Sequence, residues 1–223
     1  MSTRSIVRVI ALAALAAGRW SPAESSEWPL RIVTVAGQAE LSKGSPLAWT
    51  AAALRAELGP GAATRTLQGW LTLRTTSGQE VRLAPRSRIS LPEGGGADQP
   101  TLLRMDAGSV WVAVMPGSSP REQFEVQAVG VTVTVRGSGV GITLGQDGSA
   151  LVRVYHGAAE CAGPGAERQW TRVLADGQEL RVSSAGRPED TRKFTRDKLD
   201  ADWVKWNEEQ DVAGGYGGKL PER

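Results

Sequence analysis

From Val131 to Glu160 apolar residues recur at every second position, and most of the chain repeats the theme. Val131, Val133 and Val135 fall on one face with Thr132, Thr134 and Arg136 on the other, the alternation of a half-buried strand. Arg136-Gly137-Ser138-Gly139 interrupts the run, and Val140, Ile142 and Leu144 resume it. Gln146-Asp147-Gly148-Ser149 has hairpin composition, because glycine accepts the positive φ that tight turns demand. Leu151–His156 is then the return strand, ended by Gly157.

Upstream, Leu30–Leu41 reads as a first hairpin with Ala36-Gly37 at its turn, closed by Lys43-Gly44-Ser45-Pro46. Leu47–Leu58 is the one helix-like segment of the body: Leu47, Leu54 and Leu58 share a helical face, and Gly59-Pro60-Gly61 stops it. An irregular insertion among strands is the other reading. Gly69–Thr75 and Glu80–Leu83 form a hairpin about Ser77-Gly78, with Leu71, Leu73, Val81 and Leu83 inward. Arg88–Leu91 continues the pattern. Glu93–Pro100 is an exposed loop whose glycines lack the Lys-Ser/Thr and the following helix of a phosphate-binding loop. Leu102–Met105 and Ser109–Met115 read as another hairpin about Asp106-Ala107-Gly108. In it Val110, Val112 and Val114 point one way, Trp111 and Ala113 the other. Phe124–Ala128 leads into the central stretch, and Trp170–Leu174 and Glu179–Val182 follow it around Asp176-Gly177. Roughly a dozen short strands at hairpin spacing predict an all-β domain over residues 30–185, built of stacked antiparallel hairpins as a β-sandwich, β-roll or β-helix.

The two ends depart from this grammar. Met1–Arg8 carries two arginines, Val9–Gly18 is apolar and uncharged, and Ser21-Pro22-Ala23 supplies small residues. This is the layout of a signal peptide over residues 1–23, cleaved after Ala23 or, in the alternative, after Gly18. The apolar run is about half of the ~20 residues that span a bilayer, so no stable membrane span is expected in the mature chain. At the other end Asp190–Gln210 is highly charged, with Leu199, Trp203 and Trp206 at i, i+4 and i+7. That stripe predicts an amphipathic helix. It serves either to pack the helix back on the sheet or to dock a partner, since tryptophan dominates interface hot spots. Residues 211–223, which contain GGYGG, read as a flexible tail.

Composition changes the picture in two places. The net charge of +2 resides in the leader: without Arg4, Arg8 and Arg19 there remain 23 basic against 24 acidic residues, and no basic stripe for nucleic acid. The single cysteine, Cys161, excludes a disulfide framework and any multi-cysteine metal site. Cys161 reads as a small buried apolar residue, and His156 makes no dyad with it, because at strand spacing the two face opposite sides. No serine elbow and no metal-ligand spacing is present, and no cofactor is implied. Glu122 and Glu125 beside Phe124 read as solvated rim.

With the strand order laid out, the chain resembles the FecR domain, the extracytoplasmic part of ferric-citrate-type regulators. VTVTVRGSGVGITLGQDGSALVRVYHGAAEC is similar to the family's run ending in V-R-G-T, a short strand, and a V-x-V-x-x-G-x-V strand. SGQEVRLAPRSRISLPEG and LLRMDAGSVWVAV resemble its upstream hairpins, and LADGQEL its closing element, so the likeness runs from about Val33 to Val182. The motif residues are Val135, Arg136, Gly137 and Ser138, with Ser138 where the family usually has threonine. Full regulators of this family resemble an anti-sigma segment, a transmembrane helix, the FecR domain and a receptor-docking domain; here a signal peptide stands in place of the first two. Without the family, Arg136-Gly137-Ser138 reads as a corner in which glycine allows a bulge and serine caps local backbone.

The resemblance implies an exported, periplasmic or otherwise extracytoplasmic, non-catalytic domain. It would sense signals or contact an envelope protein, either a receptor or a membrane regulator, with Trp203 and Trp206 as candidate partner-binding residues. The alternative is a carbohydrate or cell-wall binding module, which asks for two or three tryptophans on one open face; Trp70, Trp111 and Trp170 are its candidates. The leader makes a direct prediction. Intact mass of the protein released from the periplasm should begin at Glu24 or at Arg19, whereas a chain retaining Met1 would contradict the reading.

Overall fold

The computed structural model describes residues 30–44, 46–93, 99–164, 169–195 and 201–218. The leader, Leu199 and residues 219–223 lie outside them. In chain order the strands are β1 (Leu30–Ser42), β2 (Thr50–Ala51), β3 (Glu57–Leu58), β4 (Ala63–Arg74), β5 (Glu80–Leu83), β6 (Arg88–Ser90), β7 (Thr101–Ala107) and β8 (Ser109–Ala113). There follow β9 (Phe124–Ala128), β10 (Val131–Val135), β11 (Gly139–Leu144), β12 (Ala150–His156), β13 (Ala158–Gly163), β14 (Trp170–Ala175), β15 (Gln178–Val182), β16 (Arg192–Lys193) and one α-helix, α1 (Ala201–Gly214).

Among the described residues thirteen strands form one hydrogen-bonded path, β14-β13-β10-β9-β7-β6-β4-β5-β8-β11-β12-β15-β16, and off it β1 pairs with β4 and carries β2 and β3. The path doubles back at β4. Ala63–Arg65 pair with β6, while Leu71–Arg74 pair with β5, so one long strand joins two halves. The halves face each other across a single core that takes Val131, Val133 and Val135 from one side and Val110, Val112, Val140, Ile142, Val152 and Val154 from the other. The period-2 alternation therefore fills a sandwich interior. Cys161 lies in that core, where burial pushes its thiol up to about 12.

Several local expectations are corrected. Leu30–Leu41 is no hairpin: β1 is one 13-residue strand antiparallel to β4, and Gly37 lies opposite Gly69. Both glycines have positive φ, and a Cβ on Gly69 would fall 1.7 Å from the carbonyl oxygen of Ala36. The glycine that reads as a turn is thus a close crossing beside a bulge between Gln38 and Ala39. Leu47–Leu58 is not helical but forms β2 and β3 along the edge of β1. The three leucines of the expected stripe do not share a face: Leu58 is buried in the core, whereas Leu47 and Leu54 are exposed. Nor do β7 and β8 pair with each other: β7 pairs with β6 and β9, and β8 with β5 and β11. The chain crosses there from one half to the other at Gly108.

The C-terminal boundaries move as well. The helix expected over Asp190–Gln210 starts at Ala201 and runs to Gly214. Arg192 and Lys193 instead pair with Glu179 and Gln178 as strand, and Arg192 donates to Glu179 at 2.7 Å. Residues 211–218 are not a free tail, because Asp211 and Tyr216 are buried.

Gly69→Ala combines a disfavoured φ with a backbone clash and should cost about 2–5 kcal/mol in chemical unfolding. Gly117→Ala, also at positive φ but with nothing within 4 Å, should cost about 1 kcal/mol. Equal losses would contradict the crossing.

Candidate binding groove

On β5, Val81 and Leu83 point into the core, so Glu80 and Arg82 project from the outer face, as Trp111 does from β8. His156 of β12 shares its parity with Val152 and Val154 of the core, and a register shift opposite Gly139 and Val140 turns it to the outer face instead. Exposed charges would be unremarkable there, but α1 covers them. Arg82 is fully buried. Its Nη1 donates to Asp211 Oδ1 at 2.6 Å and to the Asn207 carbonyl at 3.1 Å, and its Nε donates to Glu80 Oε2 at 2.8 Å. The second Asp211 oxygen accepts from Trp111 Nε1 at 2.9 Å and lies 2.8 Å from His156 Nε2. Arg74 pairs with Glu80 from the rim, and that hydrogen bond holds the Arg74 guanidinium above its ordinary range. Two carboxylates thus compensate the buried guanidinium. A Cβ on Gly139 would lie 2.2 Å from His156 Nε2 and 2.5 Å from Asp211 Oδ2, so the glycine is what lets the cluster close.

The segment after α1 locks over this cluster. Tyr216 turns back and donates its hydroxyl to the Gly78 carbonyl, and Gly217 and Gly218 lie against the His156 ring. Burial, reinforced by Glu80, pushes the Tyr216 hydroxyl up to about 12. Apolar support for α1 is small: Trp111, Ala113, Val204 and Tyr216 form a buried cluster, flanked by Met115, Tyr155 and Trp203.

Where α1 leaves the outer face uncovered, a groove of about 530 Å³ opens between the helix and β8, β11 and β12. Trp111 and Tyr155 line its floor with ring centroids 4.3 Å apart. Trp70, Trp206 and Trp203 line its side in series, each neighbouring pair 5.5 Å apart. Trp203 and Trp206 are half-buried, so the expected helical stripe both packs on the sheet and borders open space. The face expected of a sugar binder does not exist as Trp70, Trp111 and Trp170. Trp111 is 1% exposed beneath α1, and Trp170 is 9% exposed with its Nε1 donating to two backbone carbonyls at 3.0 and 3.1 Å.

Val135-Arg136-Gly137-Ser138 lies away from the groove, at a crossing between the two halves. Val135 is in the core, Arg136 is exposed 3.8 Å from Glu160, and buried Ser138 donates to the Ala158 carbonyl at 2.8 Å. Gly157 packs on this corner; a Cβ there would fall 2.6 Å from that of Ser138. Glu122 is not loose rim but accepts from the Ser119 backbone at 2.7 Å. Among the described residues no group of three or more His, Cys, Asp or Glu is placed to hold a metal ion, and no helix is long and apolar enough to cross a membrane.

The cluster of Glu80, Arg82, Asn207, His156 and Asp211 was not foreseen from the sequence. One signal could have found it: Trp111 alternates out of a valine strand, and a tryptophan on an outer face asks for a cover.

The family model described as FecR protein matches residues 63–160, from the start of β4 into β13. Two crystal structures of a candidate anti-sigma factor from Parabacteroides distasonis, at 1.65 and 2.50 Å resolution, share the fold. Each aligns with a TM-score of 0.50 at 18% identity over 66% of this chain, which spans 64% of that protein's length. No curated protein matches the sequence.

Two outcomes follow from the buried cluster. Asp211→Ala strands Arg82 and should weaken α1 docking by about 3–5 kcal/mol, seen as faster hydrogen exchange in 201–218 with β10 and β11 unchanged. The Tyr216 hydroxyl titrates higher in the fold than free, so its contribution is complete below about pH 10 and is lost as pH rises through about 12. Tryptophan fluorescence should report α1 release in that window, and Tyr216→Phe should remove the transition.

Proposed function

We propose that the chain, whose residues 63–160 match the FecR protein family model, is an exported, non-catalytic module that senses signals or binds a protein partner in the cell envelope. The family match is the observation that carries this. FecR proteins are regulatory, and the anti-sigma description of the structural relative is compatible with the same role, although at 18% identity that likeness speaks for fold alone. Two arginines followed by an apolar, uncharged run support export. Trp203 and Trp206 are the proposed partner contacts. Both are half-buried on α1, a helix held on the sheet by the Arg82–Asp211 cluster and by a small apolar one around Val204. A surface of this kind, with large aromatics at a shallow seam, suits a protein contact whose strength depends on whether α1 is seated.

The test is crosslinking in intact cells with a tagged full chain, followed by mass spectrometry of what is captured. The expected result is a recurrent receptor or membrane regulator, reduced several-fold by Trp203→Ala with Trp206→Ala. Retention of the chain in the cytoplasm, or capture of no recurrent envelope protein, would overturn the proposal.

A further inference from the structure

We propose that the groove between α1 and the outer face of the sheet is a saccharide-binding site, built jointly by the helix and the sheet. The inference deepens the sensing role by naming what the module recognises, and it rests on the groove's own chemistry. A cavity of about 530 Å³ is of small-ligand size. Its side is the series Trp70, Trp206, Trp203, and Trp70 remains 38% exposed although it sits beside the Trp206 indole. Flat aromatic walls suit the C–H face of a sugar ring.

The polar complement selects among ligands that stack. Arg86 and Asp202 both line the groove and are exposed, and among the described residues neither side chain has a hydrogen-bond or ion-pair partner. The first can only donate and the second can only accept. A proline-rich peptide, the usual occupant of an aromatic groove, offers carbonyls but few N–H groups, so Asp202 would gain nothing from it. Saccharide hydroxyls donate and accept, and so answer both. Ser109 and Thr143, which line the same groove and share a 2.9 Å hydrogen bond, add hydroxyls of their own. A third charged group of the lining, Arg153, is paired with Glu179 at 2.8 Å, and the remaining one positive and one negative group favour an uncharged ligand over a polyanion. Arg86 further holds φ at +58°, directly after Pro85, where glycine would sit without strain. A residue kept in that conformation at a groove rim is the kind of outlier that marks a binding site.

Because Trp203, Trp206 and Asp202 come from α1 and the floor from β8, β11 and β12, a ligand in the groove binds only the docked helix. Binding and docking are therefore linked, and a bound saccharide stabilises the seated form.

The test titrates the full chain with a panel of soluble uncharged oligosaccharides (chitotetraose, cellotetraose, maltotetraose and mannotetraose), with decaproline as comparison. Tryptophan fluorescence and hydrogen exchange are followed together. At least one saccharide should shift the fluorescence and slow exchange in 201–214. Trp70→Ala should weaken it tenfold or more. Arg86→Gly relieves the backbone, so it should keep or raise the melting temperature while weakening the saccharide several-fold, a combination that misfolding cannot produce. The proposal is overturned if no saccharide on the panel binds, if decaproline binds in their place, or if binding ignores both substitutions. Saccharide binding without any crosslinked envelope protein would uphold the site and remove the partner reading; the reverse would do the opposite.

Discussion

Arg82 is a full positive charge with no access to water, and the arrangement of the outer face follows from that. A guanidinium in such a place is tolerable only if carboxylates and carbonyls surround it, and the strand supplies just one carboxylate, Glu80. The second comes from Asp211, 129 positions later, carried by a helix that is otherwise thinly supported by apolar contact. The ion pair thus fixes where α1 sits and in which register. Trp111, His156 and the Asn207 carbonyl complete the polar shell, and the glycine at 139 leaves the room it needs.

A polar lock differs from an apolar one in what it does to function. Apolar burial would hold α1 on the sheet with little regard for exact position, whereas a shared carboxylate works in one register and fails sharply when a partner is lost. The groove inherits that property. Trp203 and Trp206 of its side wall belong to the helix, and Trp70 and the floor to the sheet, so its shape exists only while Asp211 is seated.

The core beneath is built on a different rule. Each crossing between the two halves is tight, and the corners pack on one another: Gly108 against Ser87, Gly157 against Ser138. Ser138 spends its hydroxyl on the Ala158 carbonyl, and its own carbonyl receives the Val114 amide at 3.0 Å. Val135-Arg136-Gly137-Ser138, the residues that resemble the FecR motif, thus form a structural corner remote from the groove.

What the sequence determined by itself was everything that depends on neighbours along the chain. Alternation at Val131–Val135, Val140–Leu144 and Ala150–His156 set the strands and their inward faces, and Asp147-Gly148 set the hairpin between them, because period and turn conformation are local properties. Only the tertiary structure decided which strands pair. Gly37 and Gly108 carry the same positive φ as a hairpin turn, yet one is a crossing within a long strand and the other a passage between halves. Nothing local tells those apart. The same holds for Glu80, Arg82 and Asp211, which as letters are three solvated charges. They become a buried cluster only when a helix 119 or more positions downstream closes over the strand, and electrostatics then reverses their meaning, since a charge that costs nothing in water must be matched out of it.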